Sequence, residues 1–314
     1  MTQTQHATAQ PRDPLDDPAA ATLVAGDLEA RFLPSFGMLC VSLRHKGVEI
    51  LRRLDDLKSA AAKGSTAGIP LLYPWANRLA GLNYKKAGPE VKLDPKSPLL
   101  HLDGNGLPIH GVPWSHLKWS VIEKEQNYVT AGLDWSAPEL LAIFPYPHRL
   151  AMRASLQPGG LTIETAVHAG DKPVPVSFGF HPYIGLADVP RAGWRLTLPP
   201  MRKLALDKNA IPTGVDEAFA GLDTPLANQA FDDGFTLLED SATLSVSGGG
   251  RRISVDLLDG FTHTQIYTPA DQSLIALEPM TAPTNALISG DGLRLVVPEA
   301  QFGATFRIRV EADA

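Results

Sequence analysis

Four short segments of this chain set ionisable or hydrogen-bonding side chains beside aromatics and beside backbone-restraining proline or glycine. They are Tyr73–Leu79, Ile109–Trp114, Phe178–Tyr183, and Leu277–Pro279 leading to Pro283 and Asn285. His181 and Glu278 each precede a proline, which fixes its own φ and keeps the residue before it extended. An imidazole and a carboxylate held this way suit proton transfer. The carboxylate accepts a proton, and a histidine with an ordinary pKa near 6.5 holds or releases one close to neutral pH. Aromatic neighbours form apolar walls of the kind that pack against sugar rings, and a few convergent polar groups orient such a ligand. Other chemistries lack their residues. Gly104-Asn105-Gly106 has no third glycine and no helix to follow, so it is no dinucleotide loop. Neither a Gly-x-Ser-x-Gly elbow nor a His-Glu-x-x-His pair is present. Cys40 is the only cysteine, which excludes thiolate zinc sites and an intramolecular disulfide, and the nine histidines are too scattered to predict a metal centre.

The elements that must position these groups read as strands. Leu150, Met152, Ala154 and Leu156 alternate with polar positions, Gln157-Pro158-Gly159-Gly160 makes a turn, and Leu161, Ile163, Thr165 and Val167 alternate again, which predicts a hairpin. A second hairpin is predicted around Gly248-Gly249-Gly250, with Leu244 and Val246 before it and Ile253, Val255 and Leu257 after it. The C-terminus repeats the theme with Leu293, Leu295 and Val297, then Phe302, Ala304, Phe306, Ile308 and Val310. Such strands bury one face in a shared core, as antiparallel sheets do. Helical signals are few, and the clearest is a turn or two over 137–144, ended by Pro145. From about Ala60 to Trp114 the chain is irregular and polar, the kind of long loop that carries binding groups on a rigid sheet.

The expected architecture is one large antiparallel all-β domain over residues 22–314, preceded by a flexible tail over 1–21. The tail is rich in Gln, Thr, Ala, Asp and Pro and lacks the basic start and apolar core of a secretion signal. A net charge of −6 gives no electrostatic footprint for nucleic acid, and no stretch is apolar enough to span a bilayer. A cytoplasmic protein, acting as monomer or homodimer with neither nucleic acid nor membrane as partner, is the expectation. Cys40, within Met38-Leu39-Cys40-Val41, reads as a buried and inert thiol.

Taken together, the four segments resemble the aldose 1-epimerase, or galactose mutarotase-like, family, from roughly Thr22 to Val310. The markers are Asn77-Arg78, His110-Gly111, His181-Pro182-Tyr183, Asp232-Asp233-Gly234-Phe235, and Glu278 with its downstream proline and asparagine. The resemblance implies a large antiparallel β-sandwich with an open cleft, a small-molecule sugar as ligand, and no metal or organic cofactor. It also implies that His181 is the general acid and Glu278 the general base of anomer exchange. Arg78, His110 and Asp232 match positions that bind the sugar, with Asn77 beside them. Asp233 competes with Asp232 for that role, because adjacent residues on a strand face opposite ways. Trp75, Trp114 and Tyr183 are expected in the core rather than as sugar platforms, and of the other histidines His263 stands out, on a strand expected to adjoin that of Glu278.

The chain departs from well-known members in carrying Ile184-Gly185-Leu186 after His-Pro-Tyr and Val112-Pro113 after His-Gly. Phosphate-specific relatives tend to carry an arginine after His-Gly, so a free aldose is favoured over a hexose 6-phosphate. A sugar-sensing protein without catalysis, and a glycosidase pairing Glu278 with Asp232, stay as further alternatives.

Overall fold

A computed structural model describes residues 15–52, 56–86, 88–186 and 188–312. Two large antiparallel sheets face each other. The nine-stranded sheet runs, in spatial order, 222–225, 195–198, 242–248, 251–259, 301–312, 160–169, 148–157, 128–135 and 120–124. The second sheet runs 212–219, 201–206, 231–237, 263–268, 275–280, 179–180 and 71–72, with 183–184 also pairing on 275–280. A four-stranded sheet of residues 21–25, 28–33, 39–45 and 48–49 packs beside them. The three α-helices among the described residues are short, and none is long and apolar enough to cross a membrane.

Period-2 patterning accounts for the sheets. Both predicted hairpins form, with Leu156 opposite Leu161 in the first and Gly248 opposite Arg251 in the second. Phe302, Ala304, Phe306, Ile308 and Val310 are all buried on one face of the last strand. The helix spans Pro138–Ile143, its first turn begun by the proline. Between the large sheets, Phe178, Phe180, Phe261, Phe302 and Phe306 meet largely edge to face, with centroids 4.9–6.5 Å apart. Such pairs add about 0.5–1.5 kcal/mol each beyond their area. Phe178 and Phe180 flank Gly179, so this cluster anchors the strand that leads into His181.

Two expectations change. The segment at 293–297 does not bury its odd-numbered side chains: Leu295 and Val297 are exposed and Val296 is buried. Its strand, Arg294–Val296, pairs with Val174–Val176 and not with the C-terminal strand. The alternation was real, but it is Val296 whose side chain joins the core. At the N-terminus, residues 15–20 of the expected tail are packed. Leu15 is buried, and the Asp17 carboxylate accepts hydrogen bonds from the Ser35 backbone N–H at 2.9 Å and hydroxyl at 2.7 Å. Residues 1–14 lie outside the described residues. Cys40 is buried, and burial drives its thiol pKa up, which makes it inert.

Candidate active site

Strand register assembles the site. On the second sheet Gln265 stands opposite Glu278, and Gly234 opposite Gln265. Gly179 pairs with Met280 and Tyr183 with Ala276, so His181 falls opposite Glu278 on the other side. One row therefore crosses four segments: His181, Glu278, Gln265, Gly234. Leu277 and Ile275 face the core, which by alternation turns Ala276 and Glu278 to the other face of the sheet, where Glu278 lines the cleft. The neighbouring row holds Tyr183, Ala276, Tyr267 and Asp232.

The irregular segment supplies the facing wall. His110 and Gly111 both take left-handed backbone, φ +64° and +66°, and Asn77 does the same at +54°. The His110 N–H donates to the Asn77 carbonyl at 2.9 Å, locking the two loops together. Gly111 is required there, since a Cβ would lie 2.1 Å from the Tyr73 carbonyl oxygen. The Arg78 guanidinium donates through Nε to Asp103 at 2.8 Å and through an Nη to the Asn77 side-chain oxygen at 3.1 Å.

These walls enclose an open cavity of about 200 Å³ lined by Asn77, Arg78, His110, His181, Asp232 and Glu278, together with Ile109, Tyr183, Gln265 and Tyr267. All six residues expected from the sequence thus meet at one place. His181 Nε2 lies 3.2 Å from Glu278 Oε1, with both side chains buried. Glu278 Oε2 and the Nδ1 atoms of His181 and His110 are buried without a partner. Orphaned polar atoms lining a cleft are what a hydroxyl-rich ligand satisfies. Asp232, not Asp233, faces the cleft and accepts from Gln265 Nε2 at 2.7 Å, while Asp233 pairs with Lys203 on the opposite face. A larger groove of about 780 Å³ lies elsewhere, beside the 138–143 helix, and none of its lining residues carries a buried unpartnered polar atom. Among the described residues no three His, Cys, Asp or Glu side chains are grouped to hold a metal ion.

Electrostatics correct one expectation. His181 is not an ordinary histidine, because burial pushes its pKa down to about 3. Burial, reinforced by the Asp232 carboxylate and opposed by Arg78, pushes Glu278 well above the usual carboxylate range. His110 is held well below its ordinary value by burial, then by His181 and Arg78. Burial thus favours the neutral form of each member, and two groups in contact titrate as a pair.

Sequence reasoning missed Gln265, Tyr267 and Asp103, which lie in polar strand and turn contexts with no local marker. Trp75 and Trp114 are core residues as expected. Tyr183 instead lines the cleft and stacks on His181, with ring centroids 4.0 Å apart and planes 15° off parallel, its hydroxyl 2.5 Å from Thr66 Oγ1.

Comparison with known proteins follows the same lines. Slr1438 of Synechocystis sp. PCC 6803 superposes with a TM-score of 0.77 at 24% identity, over 95% of this chain and 97% of that one. A galactose mutarotase-like protein of Clostridium acetobutylicum gives 0.82 at 19% identity, over 94% and 95%. The fold is therefore the galactose mutarotase-like one. YihR of Escherichia coli K12, described as uncharacterized, is 28% identical over 238 residues, covering 72% of this chain and 73% of its own. The family model for aldose 1-epimerase matches residues 25–309. The chain belongs to the aldose 1-epimerase family.

Proposed function

We propose that this protein interconverts the α and β anomers of a free aldose by general acid–base ring opening. The observation that carries the reading is the buried pair His181–Glu278, 3.2 Å apart at the floor of an otherwise hydroxyl-ready cleft. The two oxygens that must exchange protons, the anomeric O1 and the ring O5, are both bonded to C1. Two groups in contact can therefore serve both.

The mechanism runs on one transferable proton held by the pair, the state that burial of both groups favours. Moving it from Glu278 to His181 leaves a carboxylate and an imidazolium without taking a proton from solvent, and the sugar's hydroxyls, with Arg78 nearby, stabilise the charges. Glu278 then takes the O1 proton, the O–H electrons form the C1=O1 bond, and the C1–O5 pair goes to O5. His181 protonates O5 as that bond breaks. Rotation about C1–C2 turns the other face of the aldehyde to O5. Reclosure returns one proton to each donor. The raised affinity of Glu278 for protons strengthens it as a base. Arg78, His110, Asn77 and Asp232 hold the ring hydroxyls, and Tyr183 keeps the His181 ring in plane.

An unphosphorylated sugar fits the charges. The Asp232 carboxylate and the buried Glu278 carboxyl line the cleft, and the arginine there already serves Asp103. A phosphate dianion would need cations dedicated to it. Polarimetry on freshly dissolved α-glucose and α-galactose, alongside their 6-phosphates, tests the reading. Faster equilibration of the free sugars is expected. Acceleration confined to the phosphates, or sugar binding with no acceleration, would replace it.

A further inference from the structure

A guanidinium outside the cleft ties together the strand ends on one side of it. Arg191 opens the short turn Arg191–Gly193, directly after Pro190, and is half-buried. Trp194 anchors that turn. Its ring is buried, its Nε1–H donates to the Val189 carbonyl at 2.9 Å, and its carbonyl accepts from the Leu226 N–H at 2.8 Å. From this base the Arg191 side chain donates to five oxygens on two connections, 226–230 and 268–274. Nε reaches the Ala227 carbonyl at 2.8 Å, and one Nη reaches the Gln229 carbonyl at 2.7 Å. The other Nη reaches Thr268 Oγ1 at 2.8 Å and the carbonyls of Gln272 and Leu274 at 2.7 and 3.3 Å. The Thr268 hydroxyl donates in turn to the Leu274 carbonyl at 2.7 Å. None of the five acceptors is a carboxylate, so the planar fork serves here for its geometry, joining several neutral oxygens around one donor group.

Those oxygens stand where three strands of the site begin or end. Ala227 and Gln229 lead into Phe231–Leu237, which carries Asp232. Thr268 ends His263–Thr268, which carries Gln265 and Tyr267, and Gln272 and Leu274 lead into Ile275–Met280, which carries Glu278. Phe231 stands opposite Thr268 and Tyr267 opposite Ala276, so all of them lie at the same end of the second sheet. Ala227 is held at a φ of +38°, a backbone state that an alanine keeps only where its surroundings impose it. The bond from Arg191 to its carbonyl is one such constraint. The tie is close to Asp232 and Tyr267 and remote from the proton-transfer pair. Tyr267 adjoins Thr268, and Asp232 follows Gln229 by three residues. Glu278 lies four residues beyond Leu274, about 13 Å along its strand.

We propose that Arg191 is a positioning residue for the sugar-binding edge of the cleft, setting where Asp232 and Tyr267 meet the ring hydroxyls by tying the connections 226–230 and 268–274 to one guanidinium. This rests on the proposed anomer exchange. Arg191 does not line the cavity and acts only through the strand ends it holds. Its loss loosens the grip on the ring and leaves the contact between His181 and Glu278 in place, so binding suffers and proton transfer does not.

The test is polarimetric kinetics on the full chain with glucose and galactose, comparing wild type with Arg191→Lys and Arg191→Met, beside amide hydrogen exchange on all three. Lysine keeps the charge and the stem, but its point-like ammonium cannot join both connections. Both variants should raise KM about tenfold, the worth of one net hydrogen bond to the sugar, and keep kcat within about threefold. Amides over 226–233 and 266–275 should exchange at least about tenfold faster in both, while those over 301–312 exchange as in wild type. A side chain that served folding alone would lower kcat through the folded fraction and leave KM where it was. That pattern, an unchanged KM, or unchanged exchange at both connections overturns the proposal. Should Arg191→Met fail to accumulate, Arg191→Lys decides alone. Failure of the wild type to accelerate either sugar removes the anomerase reading, while exchange at the two connections still decides whether Arg191 holds them.

Discussion

Replacing Glu278 by glutamine should slow the proposed anomer exchange and stabilise the protein at once. The side chain is 2% exposed, its Oε2 has no partner, and burial and Asp232 both disfavour its charge. Glutamine keeps the shape and the contact to His181 but carries no ionisable proton. Loss of one acid–base group costs about 10²–10⁴-fold in rate. Above the unfolded carboxyl's pKa, holding the group protonated costs the fold about 1.4 kcal/mol for each unit of pH up to the folded value. Glutamine removes that cost, which for a chain of this size is a rise of a few degrees in Tm. The pH dependence gives a sharper criterion. A carboxyl whose folded pKa lies above its unfolded value contributes stability below the unfolded value and loses it as pH rises through the folded one. The gap in Tm between Glu278→Gln and wild type should therefore be small near pH 4 and widen towards pH 8. Calorimetric scans at pH 4, 6 and 8, with polarimetric rates at pH 7, provide the measurements. A variant no more stable than wild type at pH 8, or one retaining a tenth of its activity, would refute the reasoning.

Other outcomes follow from the same geometry. His181→Asn should lose about 10²–10⁴-fold in kcat. Because burial lowers the His181 pKa to about 3, this residue costs wild-type stability as pH falls from the ordinary histidine range towards 3. Urea titrations of this variant should therefore show a shallower acid loss than wild type between pH 6.5 and 4. Asp103→Ala frees the Arg78 guanidinium from its 2.8 Å bond, so steady-state kinetics should show KM raised about tenfold or more, with kcat nearly unchanged, matching about 1.5–3 kcal/mol for a charged hydrogen bond. Gly111→Ala forces a Cβ to within 2.1 Å of the Tyr73 carbonyl at a φ of +66°. Its Tm should drop by several degrees or the protein should fail to accumulate.

His181, Glu278 and His110 were legible as candidates because their backbone constraints are written locally, whereas Asp232 and the roles of all six residues came through the family resemblance. Proline after His181 and after Glu278, and glycine after His110, mark positions where the chain is held for a purpose. Their arrangement was not legible, because register is a relation between strands distant in sequence. Gln265 shows the difference: His263 drew attention to its strand, yet only pairing with Glu278 and bonding to Asp232 put Gln265 in the middle of the cleft. Asp232 and Asp233 could be told apart only when Lys203 claimed the second. The lowered pKa of His181 was not legible for a related reason, since burial depends on everything that packs over a ring. The same holds for Leu295 and Val297, whose alternation was visible while the partner that covers Val296 was not.

The row that joins His181, Glu278, Gln265 and Gly234 has an implication for how such a site can vary. Each member is set by counting residues along its own strand, so a single inserted or deleted residue upstream within that strand would turn the member inward and a core side chain outward. Exchange of one side chain for another leaves that count untouched. Ligand preference in this scaffold is thus open to point substitution along the row and closed to length changes within its strands, and tolerance to insertion should be confined to the connections that lie off the sheet.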